Sequence, residues 1–311
     1  MTKAGIYIHI PFCKHKCVYC DFYSMEKREK DIPRFVDMLI REIELNSKNF
    51  HENWTFDTIF FGGGTPSLME PQWLEKILNT LDRSFNISKV KEITLEANPG
   101  EAPKNRLSEF HKLGINRLSL GFQSLQPKLL ASLSRIHSPK DCFSTYQDAR
   151  DAGFENINVD LIFNIPGQSL GTWKSDLNQV IKLAPDHISA YSLTVEPNTK
   201  LFTKVNNNQI TINERCMCPA TITRNSPKFF RQRMGPQDLT LGTKTIKHSL
   251  NTVDVNIPSF RITSTIPFMI LCMPYNSIRS IAHRSNIFLS VIVFPIIIMS
   301  NSLRSTVCFL H

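Results

Sequence analysis

Acidic residues all but vanish from the last third of this chain. After Glu214 only Asp238 and Asp254 remain, against eleven lysines and arginines. Before that point Lys+Arg and Asp+Glu balance at 25 each, so residues 215–311 carry the whole formal net charge of +9. This is a break in composition, not a basic patch interleaved with aromatics, and it gives no ground for a nucleic-acid partner. Tryptophan is missing from the same stretch; Trp54, Trp73 and Trp173 all precede it. The N-terminus lacks an apolar h-region, and "GIYIHI" reads as a strand almost at once, so no signal peptide is expected. Long hydrophobic runs are lacking too. "NIFLSVIVFPIIIM" (286–299) is short and interrupted by Pro295, which makes it an aggregation hazard and no firm membrane segment. The expected compartment is cytoplasmic and reducing, where clustered cysteines favour metal binding over disulfides.

What remains is ordinary globular material with a clear rhythm up to residue 210. Apolar, β-branched runs begin near Gly5, Thr58, Glu92, Arg117, Asn156 and His187. Between them lie segments of helical periodicity, such as "DIPRFVDMLIREIEL" and "MEPQWLEKILNTLDRSF". Several open on Pro, Ser or Asp and close on Gly, as helix termini do. Strands alternating with helices imply a parallel sheet with right-handed crossovers. Six strands in so short a span fit an α/β fold of the partial, TIM-like (β/α)6 barrel type, since a full eight-stranded barrel takes about 250 residues. A doubly wound open sheet would give the same alternation.

The polar motifs fall at one rim of such a sheet. Cys13, Cys17 and Cys20 follow the first strand, and "GGGTPS" (62–67) ends the second. Glu96 ends the third, Gln123 the fourth, and Asp160 lies within the fifth. Carboxyl ends of parallel strands are where sites form.

The cysteines stand at spacings of four and three in "HIPFCKHKCVYCDF", and Lys14, His15 and Lys16 mark a polar loop. Three thiolates without a fourth suit a [4Fe-4S] cluster with one open iron, because full ligation takes four. Zinc wants four closed ligands or three plus water, and with His9 and His15 nearby a three-cysteine, one-histidine set stays open. His9 on its apolar strand reads as a core histidine, and Cys142 in a helical pattern as a core cysteine. Cys216 and Cys218, with Cys272 and Cys308 far away, make only a weak second metal motif.

C-x-x-x-C-x-x-C after a first strand, then a glycine-rich second-strand end, resembles the radical S-adenosylmethionine (SAM) superfamily. "YIHIPFCKHKCVYCDFYS", "FFGGGTPS", "EANPG", "RLSLGFQS" and "VDLIFNIPGQ" are similar to its oxygen-independent coproporphyrinogen III oxidase-like group, over about residues 3–210. Oxidases of that group carry a further cysteine two positions after the third. Here that position is Phe22, and "YCDF" resembles the heme chaperone (HemW) branch.

The resemblance implies that Cys13, Cys17 and Cys20 ligate the cluster, whose open iron binds the amino and carboxylate groups of SAM. One electron then cleaves the sulfonium to a 5′-deoxyadenosyl radical. Tyr7, Tyr19, Gly63 and Glu96 match contacts to a first SAM. Gly64, Thr65, Gln123, Arg135 and Asp160 match a second SAM site. Heme or a porphyrin is the implied ligand and heme-acceptor proteins are the implied partners. The alternative enzyme removes carboxylates from porphyrinogen propionates, and no residue here is assigned a catalytic role. Asn164 stands where relatives commonly have glycine. Gly64→Val is expected to block SAM while leaving iron content unchanged.

Residues 1–210 therefore read as a radical SAM core domain and 211–311 as an atypical tail. Relatives continue after "VEPNTKLF" into a winged-helix-like domain with an H-N-x-x-Y-W motif associated with heme. No such motif follows residue 210. The tail resembles translation out of frame, and little packed structure and no heme site are expected in it.

Overall fold

The structure is a computed structural model and describes residues 2–48, 54–211, 239–241 and 296–300. The chain begins with β1 (Thr2–Ile10), then a small loop framed by β2 (Phe12–Cys13) and β3 (Met25–Glu26), then α1 (Ile32–Ser47). β4 (Trp54–Gly63), α2 (Pro71–Ser84), β5 (Glu92–Ala97), α3 (Lys104–Lys112) and β6 (Arg117–Gln123) follow. Two helices, α4 (Pro127–Ser132) and α5 (Pro139–Asp151), lead to β7 (Asn156–Phe163), α6 (Leu170–Leu183), β8 (His187–Ser192) and α7 (Lys200–Asn206). Two short strands, β9 (Leu239–Leu241) and β10 (Ile296–Ser300), complete the described residues.

The main sheet has the order β10-β1-β4-β5-β6-β7-β8-β9. Every neighbouring pair is parallel except β10, which lies antiparallel on β1. The six strands read from the sequence are its centre, in chain order, as an open half-barrel. β9 and β10 extend it at each end, where an uncovered strand would present unpaired backbone groups. The other expectations for the tail lie outside the described residues.

Residue patterning explains the packing. Alternate residues of β1, Ile6, Ile8 and Ile10, are buried in the same core cluster as Val36, Leu39 and Ile43, which lie on one face of α1 at helical spacing. Burying each such side chain contributes roughly 1.5–3 kcal/mol. Five helices match the periodic segments of the sequence; α4 and α7 are too short to show a period. The "SPKD" start of α5 forms a reciprocal cap, Ser138 accepting from the Asp141 backbone while Asp141 accepts from that of Ser138. Among the described residues, no helix is long and apolar enough to cross a membrane.

One buried acidic side chain sets a rim loop. The Asp176 carboxylate on α6 accepts from Ser124 Oγ and Gln126 Nε2 at 2.6 Å and from Leu125 N–H at 3.2 Å. It thereby fixes the turn that begins at Gln123. Asp176→Ala is expected to cost about 3 kcal/mol or more, because buried donors lose their acceptor. Chemical denaturation would measure this, and a loss under about 1 kcal/mol would mean the turn holds without the carboxylate.

Candidate cofactor site

The cysteine loop is built on the corner where β1 meets β4. Gly64 N–H donates to Ile10 O at 2.8 Å and Thr65 N–H to Phe12 O at 2.7 Å. β2 pairs with β3, Phe12 opposite Met25 and Cys13 opposite Glu26, which closes the loop at its base. Glu26 also accepts from Lys16 N–H and faces His15 Nδ1 at 3.1 Å. Cys20 N–H donates to Cys17 O, turning the chain between those cysteines. From outside, Val18 N–H donates to Ser134 Oγ at 2.9 Å and Val18 O accepts from Leu201 N–H at 2.8 Å.

All three thiols line one cavity of about 320 Å³, near the lower end of the usual range for ligand pockets. Cys13 is buried and receives the Thr65 hydroxyl; Cys17 and Cys20 are half-buried. Burial raises the Cys13 thiol and pushes Cys20 up to about 11. Both are therefore thiols until something draws their protons away, as metal ligation does. Among the described residues, no three His, Cys, Asp or Glu side chains are already gathered as a metal-ligating set. His9 is turned elsewhere: Nδ1 meets Tyr7 OH at 3.1 Å and Nε2 meets Tyr23 O at 2.9 Å. His15 is held by Glu26. His9 is thus committed at both ring nitrogens, whereas His15 lines the cavity with Nδ1 engaged by Glu26.

The end of β4 crosses close to these groups. Gly63 has φ +111, and a Cβ there would lie 2.5 Å from the His9 ring. Its N–H donates to Glu96 Oε2 at 3.0 Å. That carboxyl is pushed from 4.5 up to about 8, first by burial and then by the charge of Asp160, with Gly63 N–H and Arg117 opposing. The folded state thus keeps a proton that the unfolded chain releases. The stability contributed is full below 4.5 and is lost as pH rises through about 8. Its slope is at most about 1.4 kcal/mol per pH unit, and less here because the cavity opens to water. Glu96→Gln is expected to flatten this part of the melting-temperature profile. An identical profile in the variant would assign the dependence to other groups.

Deeper in the half-barrel the inward-facing residues are polar at every second position. Arg117, Ser119, Gly121 and Gln123 line the cavity from β6, Asn158 and Asp160 from β7, and His187 and Ser189 from β8. Asp160 accepts from Ser119 Oγ and Asn158 Nδ2, each at 2.8 Å. Asn158 Oδ1 in turn faces His187 Nδ1 and accepts from Ser189 Oγ. Gln123 is left-handed (φ 65), and its buried Oε1 has no hydrogen-bond partner. An unpartnered acceptor on a residue that lines a cavity is a group that a ligand's hydroxyl or amino group would satisfy. Asn164, in place of a relative's glycine, also has positive φ (63), a conformation asparagine tolerates better than most residues.

Cys13, Cys17, Cys20, Tyr19, Gly63, Gly64, Thr65, Glu96, Gln123, Arg135 and Asp160 all line this cavity. Tyr7 does not; it stacks behind Phe60, which does. The sequence reading missed Asn98, Ser119, Asn158, His187 and Ser189.

A family model described as the radical SAM superfamily matches residues 7–180. The chain belongs to that superfamily. Within it the chain is related to the coproporphyrinogen oxidase-like and HemW proteins. It is 40% identical over 206 residues to the heme chaperone HemW of Buchnera aphidicola, covering 66% of this chain and 54% of that protein. It is 36% identical to the mitochondrial radical S-adenosyl methionine domain-containing protein 1 of Danio rerio, covering 68% and 47%. Among solved structures, coproporphyrinogen III oxidase (HemN) from Escherichia coli superposes with a TM-score of 0.64 at 25% identity, covering 73% and 52%. This radical SAM chain therefore spans about half the length of the relatives it matches.

Proposed function

We propose that this chain carries a [4Fe-4S] cluster on Cys13, Cys17 and Cys20, binds SAM beside it, and acts as a heme chaperone of a cytoplasmic, reducing compartment. The single observation that carries the reading is the loop itself. Three thiols line one cavity, His9 is engaged at both ring nitrogens and His15 is tied to Glu26 through Nδ1. The orphaned Gln123 Oε1 and the glycine-flattened end of β4 support a polar, closely approached molecule in the remaining space. When bound, cluster and SAM together supply one-electron chemistry at a sulfonium. The residues of this chain would do the rest. Gly63, Glu96 and Tyr19 would hold a first SAM, with Tyr7 acting from behind Phe60. Gly64, Thr65, Gln123, Arg135 and Asp160 would hold a second, and the Glu96 carboxyl would give up its proton to meet a cationic ammonium or sulfonium. Heme and heme-acceptor proteins are the proposed partners, because Phe22 stands where the oxidases have a cysteine. The structural likeness to coproporphyrinogen III oxidase favours radical decarboxylation of porphyrinogen propionates as the second reading.

Anaerobic reconstitution tests the proposal. About four irons per chain are expected, the number set by the cluster type, together with SAM binding that requires the cluster. Heme retained without SAM consumption supports the chaperone, and SAM consumption with porphyrinogen supports the oxidase. Stoichiometric zinc without iron–sulfur absorbance would overturn both.

A further inference from the structure

Arg135 lies in the loop between α4 and α5, against the base of the cysteine loop. One guanidinium nitrogen donates to Cys17 Sγ at 3.5 Å. Another donates to Asn98 Oδ1 and, at 2.9 Å, to Gly121 O. The preceding residue, Ser134, is left-handed at φ 56 and takes the Val18 N–H, so this loop grips both sides of the Cys17–Val18 peptide. Among the described residues, no carboxylate forms an ion pair with Arg135. Glu101 acts on it only through space, its own carboxylate being held by Asn98 Nδ2. The Tyr19 phenol, half-buried, lies beside it.

A guanidinium is charged at every pH a protein meets, and Arg135, half-buried on the cavity wall, is stabilised by a nearby anion. The amide of Asn98 and the carbonyl of Gly121 are neutral. Of its hydrogen-bonded partners, only the Cys17 sulfur supplies a negative charge when it ligates a metal.

We propose that Arg135 is the charge partner of the Cys17 sulfur it touches and sets the reduction potential of the cluster bound there. The proposal rests on the iron–sulfur reading. Hydrogen bonds to ligand sulfurs and local net charge are the levers by which a protein tunes such a centre. A fixed cation favours the reduced, more negative state, so Arg135 raises the potential. The same residue matches a SAM contact, but the sulfur contact exists before any ligand arrives.

The test is a redox titration of the reconstituted chain by electron paramagnetic resonance, without SAM. Arg135→Gln is expected to shift the one-electron equilibrium at least tenfold toward the oxidised cluster, a midpoint lower by about 59 mV. Arg135→Lys keeps the charge and is expected to recover at least half of that shift. Iron content is expected to match the native chain in both. Equal midpoints in all three proteins overturn the proposal, as does an equal shift in both variants, which would mark the fork geometry rather than the charge. If the glutamine variant takes up no iron, uptake by the lysine variant supports the charge, and uptake by neither overturns it. A native chain that holds no iron–sulfur cluster overturns the functional reading and this proposal with it.

Discussion

Cys17→Ala protein is expected to leave anaerobic reconstitution with less than about one iron per chain, against about four for the native chain, and without iron–sulfur absorbance. The magnitude follows from the count of ligands. Three thiols line the cavity, His9 is held at both ring nitrogens and His15 is tied to Glu26. A centre reduced to two protein ligands loses the closure that holds a cluster. The fold is expected to survive, because Cys17 is half-buried on a loop whose ties run through Val18 to Ser134 and Leu201. Far-ultraviolet circular dichroism and iron analysis on the same sample separate these outcomes. A full complement of iron in the variant would remove Cys17 from the ligand set.

Gly64→Val is expected to lose iron and SAM together, along with at least about 2 kcal/mol of stability. The sequence alone suggests a purely local block of SAM with iron unaffected, and the structure corrects this. A Cβ on Gly64 would lie 2.6 Å from Phe12 O and 2.9 Å from Ile10 O. Those are backbone atoms of the corner from which the cysteine loop springs, and Gly64 N–H is bonded to one of them. No rotamer relieves the clash, so the corner must move and Cys13 moves with it. Gly121→Ala is the milder comparison. Its Cβ would meet side chains first, Gln123 Nε2 at 2.9 Å, Asn98 Oδ1 at 3.2 Å and the Arg135 guanidinium at 3.3 Å, so the ligand pocket should change while the β1–β4 corner and iron binding persist. Normal iron in Gly64→Val protein would show that the β1–β4 corner yields more easily than its contacts imply.

Much of this was legible in the residues because the signals are local. Each of the six core strands begins within a few residues of its apolar run, and "SPKD" announces the cap of α5. The rim was legible because parallel strands share a carboxyl end. The polar interior was harder, although it leaves a trace: "RLSLGFQ", "NINVDLIF" and "HISAYS" each place a polar residue or glycine at alternate positions of an otherwise buried strand. In a strand covered on both faces that alternation has no solvent to explain it, and it marks a lined lumen. The individual bonds between distant segments were not legible, even where the shared rim was. Nothing near Arg135 or Ser134 in sequence points to Cys17 and Val18, more than a hundred residues away.

The bond from Leu201 N–H to Val18 O has a consequence for biogenesis. It ties the cysteine loop to a helix made long after it, and the tie from Ser134 also arrives late. While the chain is being translated, the thiols leave the ribosome on a loop that still lacks its outer supports. At 5–20 residues per second, roughly 10 to 40 s pass before Leu201 follows. Iron and sulfide offered during that interval would meet three cysteines without their pocket. On the proposed iron–sulfur reading, a chain stalled before α7 is expected to hold a cluster less firmly than the finished half-barrel does.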